Sequence, residues 1–323
     1  MATRFELLLC GHNPPRLRAA GEEALDEVER LENQLSLFRP ASEIAHLNAR
    51  AAVEPVRVSP RLFALLLQAR ALTEATGGAF DITVAPLVRC WGFIDGPGHL
   101  PDAEQLAKAR EVVGMHLVQL NESDLTVRFA RAGVMLDLGA IGKGYAIDRA
   151  AEILREAGVT SALLHGGTSS IYAIGSPPNA DYWLVGIENP FARGHPLGGE
   201  EDRKAAERSA WSSVPPLAGV PLKDESLSVS AISEKFFDAG GKTFGHVLDP
   251  RSGEPSSNAL LAAVVLPSAT ETDALSTAFL TLGPFGSSLI SSIRPTARSL
   301  VLHGSKNRLD VTTNGISVQT VDP

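Results

Sequence analysis

Two distant segments of the chain carry the residue types needed to hold a diphosphate. The first is Asp-Leu-Gly-Ala-Ile-Gly-Lys-Gly at residues 137–144, which leads into a helical pattern. The second, residues 245–250, precedes a helical pattern that carries Asp273 and Thr277. Small residues let a ligand approach the backbone, and the N–H groups at the start of a helix attract anions. Together with Lys143 and His246, these segments have the chemistry to bind a metal-bound pyrophosphate.

Each of these features also has an ordinary structural explanation. The glycines of residues 139–144 fit a tight strand-to-helix turn, and their order differs from the dinucleotide-binding fingerprint. A single histidine such as His246 is more often structural than catalytic. Asp273 and Thr277 are four residues apart and share a helix face, which suits either a Mg²⁺ pair or simple helix capping. The residues alone leave these alternatives open.

Two glycine pairs mark further candidate ligand-binding segments. The sequence Gly240-Gly241-Lys242-Thr243 resembles the end of a P-loop, but Phe236 stands where that motif requires its first glycine, which excludes a P-loop. Gly77 and Gly78 precede Ala79, Phe80 and Asp81. This stretch fits a helix end and turn, and its carboxylate could instead accept a hydrogen bond from a heterocycle ring.

The overall composition is that of a soluble globular protein. The chain has 323 residues, 44% of them hydrophobic and 20% charged, with a net charge of -8. An acidic chain makes nonspecific nucleic-acid binding unlikely as a function, so no nucleic-acid partner is expected. The two cysteines, Cys10 and Cys90, argue against a disulfide framework or a thiolate zinc site.

The start of the chain predicts a strand rather than a signal peptide. The apolar run after Arg4 is short, Glu6 interrupts it, and Leu9 stands before Cys10 where a lipoprotein processing site needs a small residue. No run approaches the roughly 18 apolar residues of a membrane helix. We therefore expect no integral membrane segment and a cytoplasmic protein, or a periplasmic or membrane-anchored one if a leader was removed.

The hydrophobic periodicity predicts an α+β fold with a mixed sheet and packed helices. Helices are expected at residues 22–37, 60–76, 102–113, 143–157 and 270–282. Strands are expected at residues 5–10, 116–129 (two strands), 134–138, 161–164, 226–230, 260–266, 300–303, 309–312 and 316–320. A stretch rich in Pro, Gly and charge, about residues 189–221, predicts a surface excursion.

Taken together, the motifs resemble those of the FAD:protein FMN transferases, the ApbE-type flavin transferases. The matching pieces are residues 1–3 with 5–6, 35–39 with 42–43, 77–81, 137–145 with Asp148, 165–167 and 246–253, together with Asp273 and Thr277. Their order and spacing are more specific than any single piece. Ala2 replaces the glycine that usually follows the first Met in this family. The resemblance implies a single domain over residues 1–323, built from two intertwined subdomains with a flavin cleft between them.

The resemblance also implies roles for individual residues. The FAD should be lined by Met1, Phe38, Ala79, Phe80, Asp81, Asp137, Lys143 and Val247. Phe38 stands where the family often has Tyr. Ala140 (through its carbonyl oxygen), Asp273 and Thr277 would bind Mg²⁺, and His246 is the candidate base.

The implied reaction transfers FMN from FAD to a Ser or Thr hydroxyl of an acceptor flavoprotein and releases AMP. Family acceptors carry a motif of the type Asp-x-x-Ser/Thr-Gly-Ala-Ser/Thr. The nearest stretch here, residues 273–277, lacks the Gly, so self-modification is not expected. Two alternatives stay open at this point: an FAD pyrophosphatase that gives FMN and AMP, and an FAD-binding protein without turnover. The sequence gives no oligomeric state.

Overall fold

The protein is described by a computed structural model covering residues 3–94, 96–190, 216–232, 235–305 and 308–318. Met1, one of the residues expected to contact the flavin, lies outside these ranges. So does most of the expected surface excursion, from residue 191 to 215. The last residues of the expected excursion, however, belong to a strand at Ala218–Leu222. The side chains of this strand alternate between buried and less buried positions.

The described residues form helices and strands in irregular alternation. The helices are α1 Pro14–Leu35, α2 Glu43–Arg50, α3 Pro60–Ala75, α4 Ala85–Cys90, α5 Ala103–Arg110, α6 Gly142–Glu156, α7 Ala269–Leu282 and α8 Gly286–Ile293. The strands are β1 Phe5–Leu9, β2 Val56–Arg57, β3 Val118–Asn121, β4 Thr126–Phe129, β5 Ala162–Gly166, β6 Ser170–Ile174, β7 Trp183–Ile187, β8 Ala218–Leu222, β9 Ser226–Ala231, β10 Phe236–Ala239, β11 Lys242–Gly245, β12 Leu261–Leu266, β13 Arg298–Ser305 and β14 Arg308–Asn314.

A seven-stranded sheet in the order β1-β5-β6-β9-β12-β13-β14 forms the centre of the fold. The α+β class is confirmed. The sheet differs from the expected mixed arrangement, because every pairing described is antiparallel. Neighbours such as β5 and β6 are joined by a short turn, and a hairpin of that kind gives antiparallel strands.

Both faces of the sheet are covered, by different layers. One face packs with α1, α3, α6 and α7 in the main hydrophobic core, and the other packs against the paired strands β7 and β8. The central strand β12 contributes Ala262, Val264 and Leu266 to the first layer and Leu261, Ala263 and Val265 to the second. A strand buried on both faces has no polar positions, which explains the continuous apolar run in the sequence.

The start of α1 was placed too late by the sequence. The expected helix at residues 22–37 begins at Pro14 in the structure. Two prolines occupy its first turn, where their fixed φ suits a helix and their missing N–H groups are not needed. The side chain of Asn13 caps the helix by accepting from the Arg16 N–H. The two prolines therefore mark the start of the helix.

The predicted strand at residues 134–138 was wrong. The segment is buried, but side chains and a loop take the place of a neighbouring strand. Asn48 accepts from the Leu136 N–H at 2.8 Å and donates to the Leu136 carbonyl oxygen at 2.9 Å. The Asp137 N–H donates to the Ile82 carbonyl oxygen at 2.7 Å. The predicted strand at residues 316–320 is reduced, within its described part, to a single bridge between Val318 and Ala218.

The helix α7, which carries Asp273 and Thr277, is in close contact with α6, which begins just after Ala140. Asp148 on α6 caps the start of α7, because its carboxylate accepts from the N–H groups of Ala269 and Thr270 at 2.8 and 2.9 Å. It also accepts from the hydroxyls of Ser268 and Thr270. At Gly144 a Cβ would overlap the Ala269 carbonyl oxygen. The absence of a side chain at Gly144 therefore sets how closely α6 approaches α7.

Gly144→Ala is expected to lower the free energy of unfolding by about 1–3 kcal/mol, the usual cost of overpacking. The added methyl would also come within 2.9 Å of the Asp273 Cβ. Gly142→Ala is the matched control, because the nearest atom to a Cβ there, among the described residues, is the Leu138 Cβ at 3.8 Å. Urea denaturation of both variants measures the difference, and equal stability of the two would contradict this packing account.

One helical stretch among the described residues, Ala269–Ile293, passes a length and composition test for a membrane span, with a mean hydropathy of 1.2. It comprises α7, a 3₁₀ turn at Gly283–Phe285 and α8. More than half of its apolar window, 56%, is buried inside the protein. A helix at the centre of a folded core has the same composition, so this stretch is weak support for membrane insertion.

Candidate functional site

A cavity of about 230 Å³ brings together ten of the residues that the sequence singled out. They are Ala79, Phe80, Asp81, Asp137, Ala140, Lys143, His246, Val247, Asp273 and Thr277. A neighbouring cavity of about 380 Å³ shares Asp137, Lys143 and His246 with the first, so the two are contiguous. Phe38 lines this second cavity with 66% of its surface exposed. The candidate site is therefore a branched cleft assembled from distant parts of the chain.

Asp273 is the most deeply buried charged group of the cleft, with 3% of its surface exposed. Its Oδ2 accepts from the backbone N–H of Gly144 at 3.0 Å, and its Oδ1 lies 3.5 Å from the Lys143 ammonium. The Gly144 N–H belongs to the first turn of α6, where N–H groups have no helical partner, and the carboxylate supplies one. A buried carboxylate needs such partners, because desolvation of an unpaired charge is very costly.

Thr277 and Ala140 contribute further oxygen atoms near this carboxylate. The Thr277 hydroxyl donates to the backbone carbonyl of Asp273 at 3.2 Å, which leaves its oxygen lone pairs as acceptors. Ala140 lies in the turn before α6 and lines the same cavity. Within the described ranges, no group of three His, Cys, Asp or Glu side chains could hold a metal ion. Any cation here would depend on mixed oxygen donors.

His246 is positioned by a hairpin. Strands β10 and β11 pair around Gly240 and Gly241, both with positive φ, which confirms that this glycine pair belongs to a turn and not to a P-loop. The rings of Phe237 and Phe244 stack across the hairpin at 5.3 Å, and they pack against Trp91. His246 follows β11 directly, so this aromatic cluster fixes its backbone.

The imidazole of His246 has a defined orientation. Its Nδ1 lies 3.2 Å from the carbonyl oxygen of Lys235, and its ring meets Phe93 edge-on at 6.4 Å. A carbonyl oxygen can only accept, so Nδ1 carries the proton of the neutral ring and Nε2 is the acceptor nitrogen. This is the tautomer that a general base requires.

Asp81 lines the cavity, but its carboxylate also organises the surrounding loop. Its Oδ1 accepts from the N–H and hydroxyl of Thr83 at 2.8 and 2.7 Å, and its Oδ2 accepts from the Met115 N–H at 3.0 Å. The hydroxyl of Thr83 in turn accepts from the Gly114 N–H. These bonds fix the loop before α4 to the segment before β3, and they keep Phe80 in the cleft.

Burial raises the pKa of Asp81 above its ordinary value, and the hydrogen bonds from Thr83 and Met115 oppose that shift. The folded state therefore binds this proton more tightly than the unfolded state. The contribution to stability is complete below the unfolded pKa of about 3.9 and is lost as pH rises through the folded pKa.

Asp81→Asn is expected to remove this pH-dependent loss. The free energy of unfolding, measured by urea denaturation from about pH 4 to pH 7, should fall less steeply with pH in the variant than in the wild type over the lower part of that range. Parallel profiles of the two proteins would show that Asp81 titrates as an exposed aspartate does.

Asp137 lies between the two branches of the cleft. Its Oδ1 accepts from the Gly139 N–H at 2.8 Å, which shapes the turn that leads to α6. Burial raises the pKa of this carboxyl group, while the hydrogen bond from Gly139 and the charge of Lys143 lower it. Asp137 therefore interrupts an apolar segment for two reasons: its carboxylate shapes the turn, and it lines the cleft.

Several lining residues were not predicted from the sequence, among them Val84, Val88, Ser169 and Ser230. Ser230 belongs to the alternating sequence Ser-Leu-Ser-Val-Ser-Ala of β9. Alternation of polar and apolar residues usually marks a strand with its polar face toward solvent. Here the serine face points to α7. The sequence feature that could have indicated this burial is the uniformly small, uncharged composition of the serine face.

Comparison with known proteins identifies the family. The profile of the ApbE family matches residues 1–298. The FAD:protein FMN transferase of Klebsiella pneumoniae (strain 342) is 31% identical over 240 residues, 74% of this chain and 67% of the relative. That of Treponema pallidum (strain Nichols) is 31% identical over 281 residues, 83% and 72% of the two chains. The chain therefore belongs to the ApbE family.

The fold agrees with this assignment. The apo form of the flavinyl transferase ApbE from Pseudomonas stutzeri matches this structure with a TM-score of 0.77 at 25% identity, over 97% of this chain and 95% of that chain. The ApbE-like architecture expected from the sequence motifs is confirmed.

Proposed function

We propose that this protein is an FAD:protein FMN transferase, which moves FMN from FAD to a Ser or Thr hydroxyl of an acceptor flavoprotein and releases AMP. The observation that carries the proposal is the cleft itself. It combines a buried carboxylate, a lysine and an oriented imidazole, from segments between residues 79 and 277, in one continuous space. The names of the relatives support the same activity.

FAD would occupy both branches of the cleft, because the 230 Å³ branch alone is smaller than the usual cavity for a drug-sized ligand. Ala79, Phe80, Asp81 and Val247 line one branch, and Phe38 lines the other. Asp137 and Lys143 line both. This arrangement would place the diphosphate beside the ammonium group of Lys143, which attracts the negative charge.

The donor atoms fit Mg²⁺. The carboxylate of Asp273, the hydroxyl of Thr277 and the carbonyl of Ala140 are hard oxygen donors, and Mg²⁺ commonly combines few protein ligands with substrate phosphate and water. Bound there, Mg²⁺ would neutralise negative charge on the diphosphate oxygens.

His246 would act as general base. In the transfer step, the acceptor oxygen forms a bond to the FMN phosphorus, the bond from that phosphorus to the bridging oxygen breaks, and AMP leaves. The hydroxyl proton moves to Nε2 of His246, which the hydrogen bond from Nδ1 to the Lys235 carbonyl orients as acceptor. The apolar side chains of Val84, Val88 and Leu248 line the cleft and would limit competition from water.

The test is AMP release from FAD and Mg²⁺, with and without an acceptor domain that carries an Asp-x-x-Ser/Thr-Gly-Ala-Ser/Thr motif. AMP that depends on the acceptor supports the transferase. AMP and free FMN at the same rate without acceptor would identify an FAD pyrophosphatase. Bound FAD with no AMP in either case would leave a binding protein and would remove the basis for the role of His246.

A further inference from the structure

Two buried serines converge on the carboxylate of Asp273. Ser170 on β6 and Ser228 on β9 are register partners on neighbouring strands, and each has 0% of its surface exposed. Their hydroxyls lie 3.2 and 3.3 Å from the same Oδ1 atom of Asp273. Because a carboxylate only accepts, each hydroxyl donates its proton to it.

These contacts hold the carboxylate from two sides. Oδ1 receives the two hydroxyls from the sheet, while Oδ2 receives the Gly144 N–H from the start of α6. A rotation of the carboxylate about its terminal torsion would break bonds on both sides at once. Its orientation in the cleft is thus set by β6, β9 and α6, and not by α7 alone.

The hydroxyl contacts continue to the second side chain of the predicted metal site. The Ser276 hydroxyl on α7 donates to the backbone carbonyl of Asp273 at 3.0 Å, and it lies 3.3 and 2.9 Å from the hydroxyls of Ser228 and Ser230. Ser230 lies 3.3 Å from the Thr277 hydroxyl and lines the cleft. A series of close hydroxyl contacts therefore connects the side chains of Asp273 and Thr277 through β9.

We propose that Ser170 and Ser228 are positioning residues that hold the Asp273 carboxylate in the geometry for binding a divalent cation. The proposal rests on the proposed function, because it takes Asp273 as a ligand of Mg²⁺. Groups that hydrogen-bond to a metal ligand typically change metal affinity by 10–100-fold. Serine suits the task because it supplies a donor in a side chain small enough for α7 to pack directly on β6 and β9.

The test compares Ser228→Ala and Ser170→Ala with the wild type by calorimetric titration of Mn²⁺ and Mg²⁺, each with and without saturating FAD. Either substitution is expected to weaken cation binding by about 10-fold or more. The apparent Mg²⁺ constant of the transfer reaction should rise in parallel, while the KM for FAD changes little. Two independent variants are used so that a folding defect in one does not decide the result.

Ser226→Ala is the matched control. Ser226 lies on the same strand face and is also fully buried, but its hydroxyl donates to the Ile171 carbonyl oxygen at 2.8 Å and contacts Thr272, not Asp273. It should alter thermal stability to a similar extent and leave cation affinity unchanged. A readout of metal binding thus separates positioning from a general loss of core hydrogen bonds.

The outcomes separate this inference from the proposed function. If the wild type binds the cation and both serine variants bind it equally well, the positioning role is overturned while the metal site stands. If Ser226→Ala weakens binding as much as Ser228→Ala, a nonspecific core effect overturns the proposal. If the wild type binds neither cation under any condition, the metal site fails and this inference fails with it.

Discussion

His246→Ala is expected to lower the rate of FMN transfer by about 10²–10⁴-fold, the usual contribution of general acid–base catalysis, with FAD binding retained. The reason is geometric. Nδ1 is committed to the Lys235 carbonyl, so Nε2 is the basic atom of the ring, and His246 lines both branches of the cleft. Removal of the ring leaves the other lining groups in place, so the loss should appear in kcat. Single-turnover transfer to an acceptor domain and FAD titration measure the two effects separately.

His46→Ala is the control for this experiment, because His46 is exposed on α2 and lines none of the described cavities. It should transfer FMN at the wild-type rate. Transfer by His246→Ala at the wild-type rate would remove His246 from the mechanism. Loss of FAD binding in that variant would assign the ring to substrate binding instead.

Asp273→Asn is expected to weaken Mg²⁺ binding by more than about 100-fold and to reduce transfer accordingly. Loss of a group that merely supports a metal ligand costs 10–100-fold, so loss of a charged ligand should cost more. The amide keeps the shape of the side chain, and its oxygen can still accept from the Gly144 N–H. The Mg²⁺ dependence of transfer and calorimetric Mn²⁺ binding measure the change.

Asp124→Asn is the matched control, because Asp124 is exposed in the turn between β3 and β4 and accepts from the N–H and hydroxyl of Thr126, away from the cleft. Its Mg²⁺ dependence should equal that of the wild type. An unchanged Mg²⁺ dependence in Asp273→Asn would show that this carboxylate is not a ligand, and its burial would then need a structural explanation.

The elements with strong periodicity were predictable from the sequence. The helices α3 and α6 and the strand β12 lie within one or two residues of the expected positions, because their apolar residues recur at the spacing of a helix face or a doubly buried strand. The residues expected to meet in one cleft also do so, apart from Phe38 in the adjoining branch and Met1 outside the described ranges.

Other parts of the fold depend on contacts that no local pattern contains. The segment at residues 134–138 reads as a strand but pairs with the side chain of Asn48, which is 88 positions away from Leu136. The alternating sequence of β9 is typical of a strand with one face toward solvent, but α7 covers its serines. In both cases a distant element supplies the hydrogen-bond partners. Tertiary contacts therefore determine the conformation and burial of these segments, and the local sequence does not.

We propose that this cleft transfers FMN to another protein. The most direct measurement is the intact mass of an acceptor domain after incubation with this protein, FAD and Mg²⁺, followed by peptide mapping of the modified residue. We predict a gain of one FMN moiety on a Ser or Thr of the acceptor motif, absent with Asp273→Asn and absent when Mg²⁺ is chelated. An unmodified acceptor, with FAD consumed or merely bound, would contradict the account.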